Sequence, residues 1–115
     1  MAETELAKKK CVPCSAGTPK LWGYQLDFYA KQLPDWKVVD EHHLERAFKF
    51  PDFVSALAFV NRVGAIAEQE GHHPDLALSW GKVVVTIYTH KIDGLSEADF
   101  VLGAKVDQLT VPAGG

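Results

Sequence analysis

Residues 52–90 read DFVSALAFVNRVGAIAEQEGHHPDLALSWGKVVVTIYTH. The first half has helical spacing. Phe53, Leu57, Val60, Gly64 and Ala67 fall at i, i+4, i+7, i+11 and i+14, which predicts one buried stripe on a helix from Asp52 to Glu70. Asp52, after Pro51, suits the positive N-terminal end. Gly71 suits the left-handed stop that ends a helix. The second half has extended character. Leu76–Trp80 and Lys82–Thr89 are expected strands, with Gly81 in a tight connection between them. The run Val83 to Tyr88 is rich in β-branched and aromatic side chains, which favour a pleated backbone.

The pattern extends in both directions. Upstream, Leu44 to Phe50 alternates: Leu44, Phe48 and Phe50 face one side, Glu45 and Lys49 the other, and Arg46 breaks the apolar face. Trp36–Val39 is a shorter strand, joined to it through a turn at Asp40-Glu41-His42, which makes a hairpin. Before that, Trp22, Leu26, Tyr29, Ala30 and Leu33 share one face of a helix expected over residues 21–33, stopped by Pro34. Downstream, a last helix starts after Ser96 as N-cap. Leu95 and Phe100 occupy the hydrophobic-staple positions, and Asp99 sits at the third helical position near the positive helix end. Leu102, Val106 and Leu109 are its expected buried face.

The order is helix, two strands, helix, two strands, helix. Paired hairpins with helices between them predict an α+β two-layer sandwich, a four-stranded antiparallel sheet with helices packed on one face. Such a sheet has two open edges, which invite pairing with a second copy. An oligomer is therefore expected.

The chain has 115 residues, 47% hydrophobic and 23% charged, with a formal net charge of −3. This composition fits one globular domain and excludes a wholly disordered chain. No apolar run approaches the ~20 residues of a membrane helix. No apolar segment follows the charged start as a secretory signal would require. No strong basic patch points to nucleic acid. Residues 1–20 are polar and read as a flexible arm, residues 21–110 as the domain, and residues 111–115 as a flexible tail. Two cysteines, Cys11 and Cys14, are too few for a disulfide scaffold.

Five histidines occur: His42, His43, His72, His73 and His90. The first two fall in or beside a turn and read as ordinary surface or satisfied core residues. The other three are linked by the hairpin around Gly81. With a three-residue loop, opposed residues have numbers summing to 162, and His72 lies across from His90. With a two-residue loop the sum is 161, and His73 shares a face with His90. Either way imidazoles from two chain segments meet at the open end of the hairpin. Histidine titrates near neutral pH, so two rings around one pocket supply an acid and a base without a cofactor.

The spaced set Glu68, His72, His73, Pro74, Trp80, His90 and Asp99 resembles the motif of the pterin-4a-carbinolamine dehydratase family, and the surrounding sequence from about Trp36 to Leu109 is similar to it. The resemblance implies dehydration of a 4a-hydroxytetrahydropterin, such as 4a-hydroxytetrahydrobiopterin, to quinonoid dihydropterin and water. That would recycle the pterin cofactor of an aromatic amino-acid hydroxylase. It implies His72 and His90 as acid–base groups, with His73 binding the pterin ring and sharing in proton transfer. Trp80 would wall the pocket or contact the substrate, or else be a plain hairpin residue. Glu68 would orient a histidine. Asp99 would compensate a helix terminus, serve the site, or do both. No cofactor or metal is implied. A cytoplasmic homodimer or homotetramer is expected, with no nucleic-acid or membrane partner.

Rival readings are distinguishable. Three histidines with Glu68 or Asp99 offer ligands for zinc or iron, although adjacent strand residues point to opposite faces and ligate poorly together. Cys11-Val12-Pro13-Cys14 supplies two zinc ligands of four and lacks the strand–helix setting of a redox motif. Some family members act as a dimerisation cofactor of a transcription factor, a non-catalytic role. A role in molybdopterin-related metabolism would use the same pocket residues.

Overall fold

A computed structural model describes residues 20–109. The elements are α1 (Tyr24–Ala30), β1 (Lys37–Val39), β2 (His43–Lys49), α2 (Phe53–Glu70), β3 (Asp75–Ser79), β4 (Lys82–Ile87), a 3₁₀ turn (His90–Ile92) and α3 (Glu97–Gln108). The strands form one antiparallel sheet in the order β1-β2-β4-β3. This is the expected α+β order. Leu44 faces Ile87 and Phe48 faces Val83 across β2 and β4, and Leu76 faces Val85 across β3 and β4. The side chains of this face are buried under the helices: Leu44, Val83, Val85 and Ile87 are fully enclosed. Residues Cys11 and Cys14, the proposed arm and the tail lie outside the described residues, apart from Lys20.

The helices meet the sheet through a core of Leu26, Leu33, Phe48, Phe59, Phe100 and Leu102, among others. The stripe of α2 differs from the expected one. Ala56, Phe59, Val63 and Ala67 are buried, whereas Phe53 and Leu57 are exposed. Almost every turn of this helix carries apolar residues on more than one side, so spacing alone leaves its rotation open. The aromatic contacts of Phe59 with Phe48 and Phe50, at 4.7 and 5.1 Å between ring centroids, select it. α3 is buried nearly all round, from Ala98 through Ala104 and at Val106, and Leu109 is only half-buried. The staple residues Leu95 and Phe100 are both fully enclosed.

Trp22 also departs from expectation. α1 begins only at Tyr24, because Leu21 is drawn away to donate its N–H to the Leu95 carbonyl at 2.8 Å. Trp22 is left 64% exposed.

Arg46, the charge on the inner face of β2, is accommodated at the rim. Its guanidinium donates to Asp107 of α3 at 2.6 Å and lies 4.4 Å from the Phe48 ring centroid. The same Asp107 oxygen accepts from Trp36 Nε1 at 2.8 Å. Burial pushes the Asp107 carboxyl above its ordinary value of 3.8, against the opposing pull of Trp36 and Arg46. A folded-state value above the unfolded one means that the native state holds the extra proton. Stability from this group is present at acid pH and declines as pH rises through the raised value. Asp107→Asn is expected to flatten that decline in urea unfolding followed from about pH 3.5 to 7. An unaltered slope would remove Asp107 as its source.

Candidate active site

α2 ends in a way that fixes the direction of the histidine pair. Gly71 adopts φ 67°, ψ 26°, a left-handed conformation that costs glycine little. Its N–H donates to the Glu68 carbonyl at 3.3 Å, and His72 N–H donates to the Ala67 carbonyl at 3.2 Å. These two bonds form a Schellman turn. The chain therefore reverses at Gly71 and delivers His72 and His73 to the end of the sheet.

The hairpin has the two-residue loop, Trp80-Gly81, with Ser79 opposite Lys82 and Asp75 opposite Thr86. The register sum is 161. Glycine is required at 81 because a Cβ there would come within 2.9 Å of the Phe50 carbonyl oxygen. Strand pairing stops at Asp75 and Ile87, so His73 and His90 are not cross-strand partners. They meet instead around a cleft beyond the end of the sheet. The cleft encloses about 420 Å³ and is lined by His72, His73, Tyr88, Thr89 and His90, among others. Pockets for small ligands typically span about 300–1,000 Å³, so a bicyclic heterocycle fits by size.

Each of the paired histidines has its own carboxylate. His72 Nε2 lies 2.6 Å from Asp99 Oδ1, and His73 Nε2 lies 2.5 Å from Glu68 Oε2. The two pairs differ in burial. Asp99 is fully enclosed and the His72 side chain is 16% exposed, whereas the His73 and Glu68 side chains are 59% and 79% exposed. The first pair is structural as well as chemical. Asp99 Oδ2 accepts from Ser96 N–H and from the Thr89 hydroxyl, both at 2.8 Å. One carboxylate thus caps α3, closes the end of β4 and holds the His72 ring. Both readings of Asp99, helix cap and site residue, describe the same atoms.

His90 sits in a small closed loop. Thr89 and Gly94 are bridged, with Thr89 N–H donating to the Gly94 carbonyl at 2.8 Å. Inside this loop His90 projects beside Tyr88. The two rings are stacked at 4.3 Å between centroids, with planes 8° apart.

Trp80 is not part of this arrangement. It stands at the turn of the β3–β4 hairpin, 69% exposed, and does not line the cleft. Six residues of mostly extended chain, roughly 20 Å, separate it from His73. Within one chain the plain hairpin reading of Trp80 fits. Among the described residues no three histidine, cysteine, aspartate or glutamate side chains converge as metal ligands. His72 and His73 turn to separate carboxylates.

His42 and His43, although in or beside a turn, border the site through Tyr88. His42 lies 4.5 Å from the Tyr88 ring centroid. Its Nε2 is 2.7 Å from Asp93 Oδ1, and its Nδ1 is 3.0 Å from His43 Nδ1. The His42 hydrogen bond and charge hold the Asp93 carboxyl below its ordinary range. Only the alternation of β2, which carries His43 onto the same sheet face as Tyr88, hinted at this proximity.

Comparison with known proteins bears on this histidine-lined cleft. The family model of pterin 4 alpha carbinolamine dehydratase matches residues 20–109. The chain belongs to that family. It is 58% identical over 106 residues to a Rubrobacter xylanophilus protein provisionally named pterin-4-alpha-carbinolamine dehydratase, a match covering 92% of this chain and 99% of that one. In structure it resembles a transcriptional coactivator/pterin dehydratase of Brucella melitensis, with a TM-score of 0.74 and 29% identity over 79% of this chain and 98% of that one. It also resembles a pterin dehydratase-like protein identified as a RuBisCO assembly factor in the alpha-carboxysome. That TM-score is 0.53, at 25% identity over 62% of this chain and 82% of the other. Both of these structural relatives are thus described by roles besides dehydration. Among the described residues, no helix of this family member is long and apolar enough to cross a membrane.

Proposed function

We propose that this chain dehydrates a 4a-hydroxytetrahydropterin to quinonoid dihydropterin and water by histidine acid–base catalysis, in support of an aromatic amino-acid hydroxylase. The observation that carries the reading is the convergence of His72, His73 and His90 on one cleft, two of them backed by carboxylates.

The reaction breaks the C4a–O bond and removes the N5 proton. The hydroxyl needs a proton to leave as water, and the electrons of the N5–H bond become the N5–C4a double bond. An Nε2–H donated to Asp99 leaves neutral His72 with an unprotonated Nδ1. His72 is accordingly the base for the N5 proton. His90, which has no carboxylate at hydrogen-bond distance among the described residues, is the acid that protonates the leaving hydroxyl. Solvent then returns the transferred proton from His72 to His90. His73, more exposed and held by Glu68, orients the pterin ring and contributes to proton transfer. General acid–base help of this kind is worth about 10²–10⁴-fold.

The test is the decay of the 4a-hydroxy intermediate formed by an aromatic amino-acid hydroxylase, followed with and without this protein. Faster decay in proportion to protein concentration is expected. An intermediate that decays at the same rate in both would refute the enzyme reading and favour a protein-binding module.

A further inference from the structure

We propose that Tyr88, with His42 and Asp93 behind it, is a positioning residue for the His90 ring. The inference rests on the reading of His90 as proton donor and goes beyond the histidines and carboxylates already assigned. His90 differs from its partners in the cleft. Asp99 orients His72 and Glu68 orients His73, each through a ring nitrogen. No side chain among the described residues holds His90 that way, so both its nitrogens stay available to the cleft. An acid–base group nevertheless needs a fixed ring plane, because misplacement by about 1 Å is costly to rate.

The stack on Tyr88 provides that constraint without engaging a nitrogen. Parallel rings at 4.3 Å restrict the tilt of the imidazole and leave its edge clear. Tyr88 is itself held. It is half-buried against the core, and His42 packs on it from the β1–β2 turn at 4.5 Å. His42 in turn binds Asp93, the neighbour of Gly94, whose pairing with Thr89 closes the loop that carries His90. Both ends of the His90 loop are therefore tied to the same ring system. The Asp93 side chain is 80% exposed, so its pair with His42 is worth at most about fivefold in any equilibrium. Tyr88 is the dominant member and His42 the support.

The test is a double-mutant cycle in the dehydration assay, with kcat and KM measured for wild type, Tyr88→Leu, Tyr88→Phe, His90→Gln and the Tyr88→Leu/His90→Gln double variant. Leucine keeps apolar bulk and removes the π face. Tyr88→Leu is expected to lower kcat roughly two- to tenfold, the range an aromatic pair is worth, with KM little altered. Tyr88→Phe should retain most of the rate. With His90 already replaced, Tyr88→Leu should add little, since the two residues act as a unit. Proton NMR provides the second readout: the His90 ring protons should lose their ring-current shift in Tyr88→Leu and keep it in Tyr88→Phe.

Three results would overturn the proposal: a Tyr88→Leu effect that persists in full without His90, an effect confined to KM, or His90 ring shifts identical in Tyr88→Leu and wild type. If Tyr88→Leu does not fold, His42→Ala takes its place in the cycle, with a smaller loss of kcat and the same dependence on His90 expected. Wild-type protein with no dehydratase activity would instead sink the functional reading itself. That result is distinct from an active wild type with an additive cycle.

Discussion

His90→Ala and His73→Ala are each expected to slow dehydration well over tenfold while the protein stays folded. The size follows from the chemistry. Losing a proton-transfer group in the transition state costs about 10²–10⁴-fold in rate. His90 should fall toward the upper part of that range, because the leaving hydroxyl depends on its proton. His73 should fall lower, because it chiefly orients the ring. The small effect on stability follows from exposure. His90 is exposed, and the His73–Glu68 pair has side chains 59% and 79% exposed. Substitutions at such positions usually shift stability by about 0.5 kcal/mol or less. Thermal melts alongside rate measurements separate the two effects. Wild-type rates in both folded variants would remove these rings from the mechanism and leave the cleft without its proposed chemistry.

Asp99→Ala is expected to be the most damaging single substitution for the fold and the site together. Its carboxylate is fully buried and accepts from His72, Thr89 and Ser96. Alanine would remove the acceptor that these three donors share, although the Thr89 hydroxyl keeps its contact with Ser96 Oγ at 3.1 Å. Breaking a buried charged hydrogen-bond set commonly costs about 3–5 kcal/mol, a large share of the roughly 5–15 kcal/mol that holds a domain of this size together. Asp99→Asn separates the two roles. The amide has one acceptor oxygen where the site uses two. If that oxygen stays on Ser96 N–H and Thr89, the NH₂ meets the His72 ring; if it turns to His72, the cap is lost. Asp99→Asn should therefore fold, melt at lower temperature and lose more than tenfold in rate. Denaturant unfolding with rate measurements on the same samples decides this. A variant that melts like wild type and turns over like wild type would show that His72 needs no carboxylate.

Much of this arrangement is written in short-range patterns. Gly71 after a long amphipathic run predicts where α2 stops, and the Schellman turn found there carries the histidine pair. Ser96 and Asp99 are spaced as cap and third helical residue, and both are used so. Other features depend on contacts between distant segments. The hairpin allowed two registers, and the pairing of Ser79 with Lys82 shows which one the chain adopts. The rotation of α2 is not legible from spacing, because Phe53 and Leu57 fit a helical stripe as well as Phe59 and Val63 do. Only the aromatic surface of β2 distinguishes them. His42 looked like an ordinary turn residue because its partners, Tyr88 and Asp93, are 46 and 51 positions away. Trp80 was drawn toward the cleft by its place in a spaced motif, whereas its position in the two-residue turn sets it at the opposite end of the strand.

The Ser96 amide proton ends on the same carboxylate that steadies the His72 ring. Its rate of exchange with deuterated solvent is therefore a built-in gauge of whether that ring is held. A ligand that settles into the cleft and tightens His72 should slow the exchange of this one backbone proton, even where the ligand is too weakly bound to be seen directly.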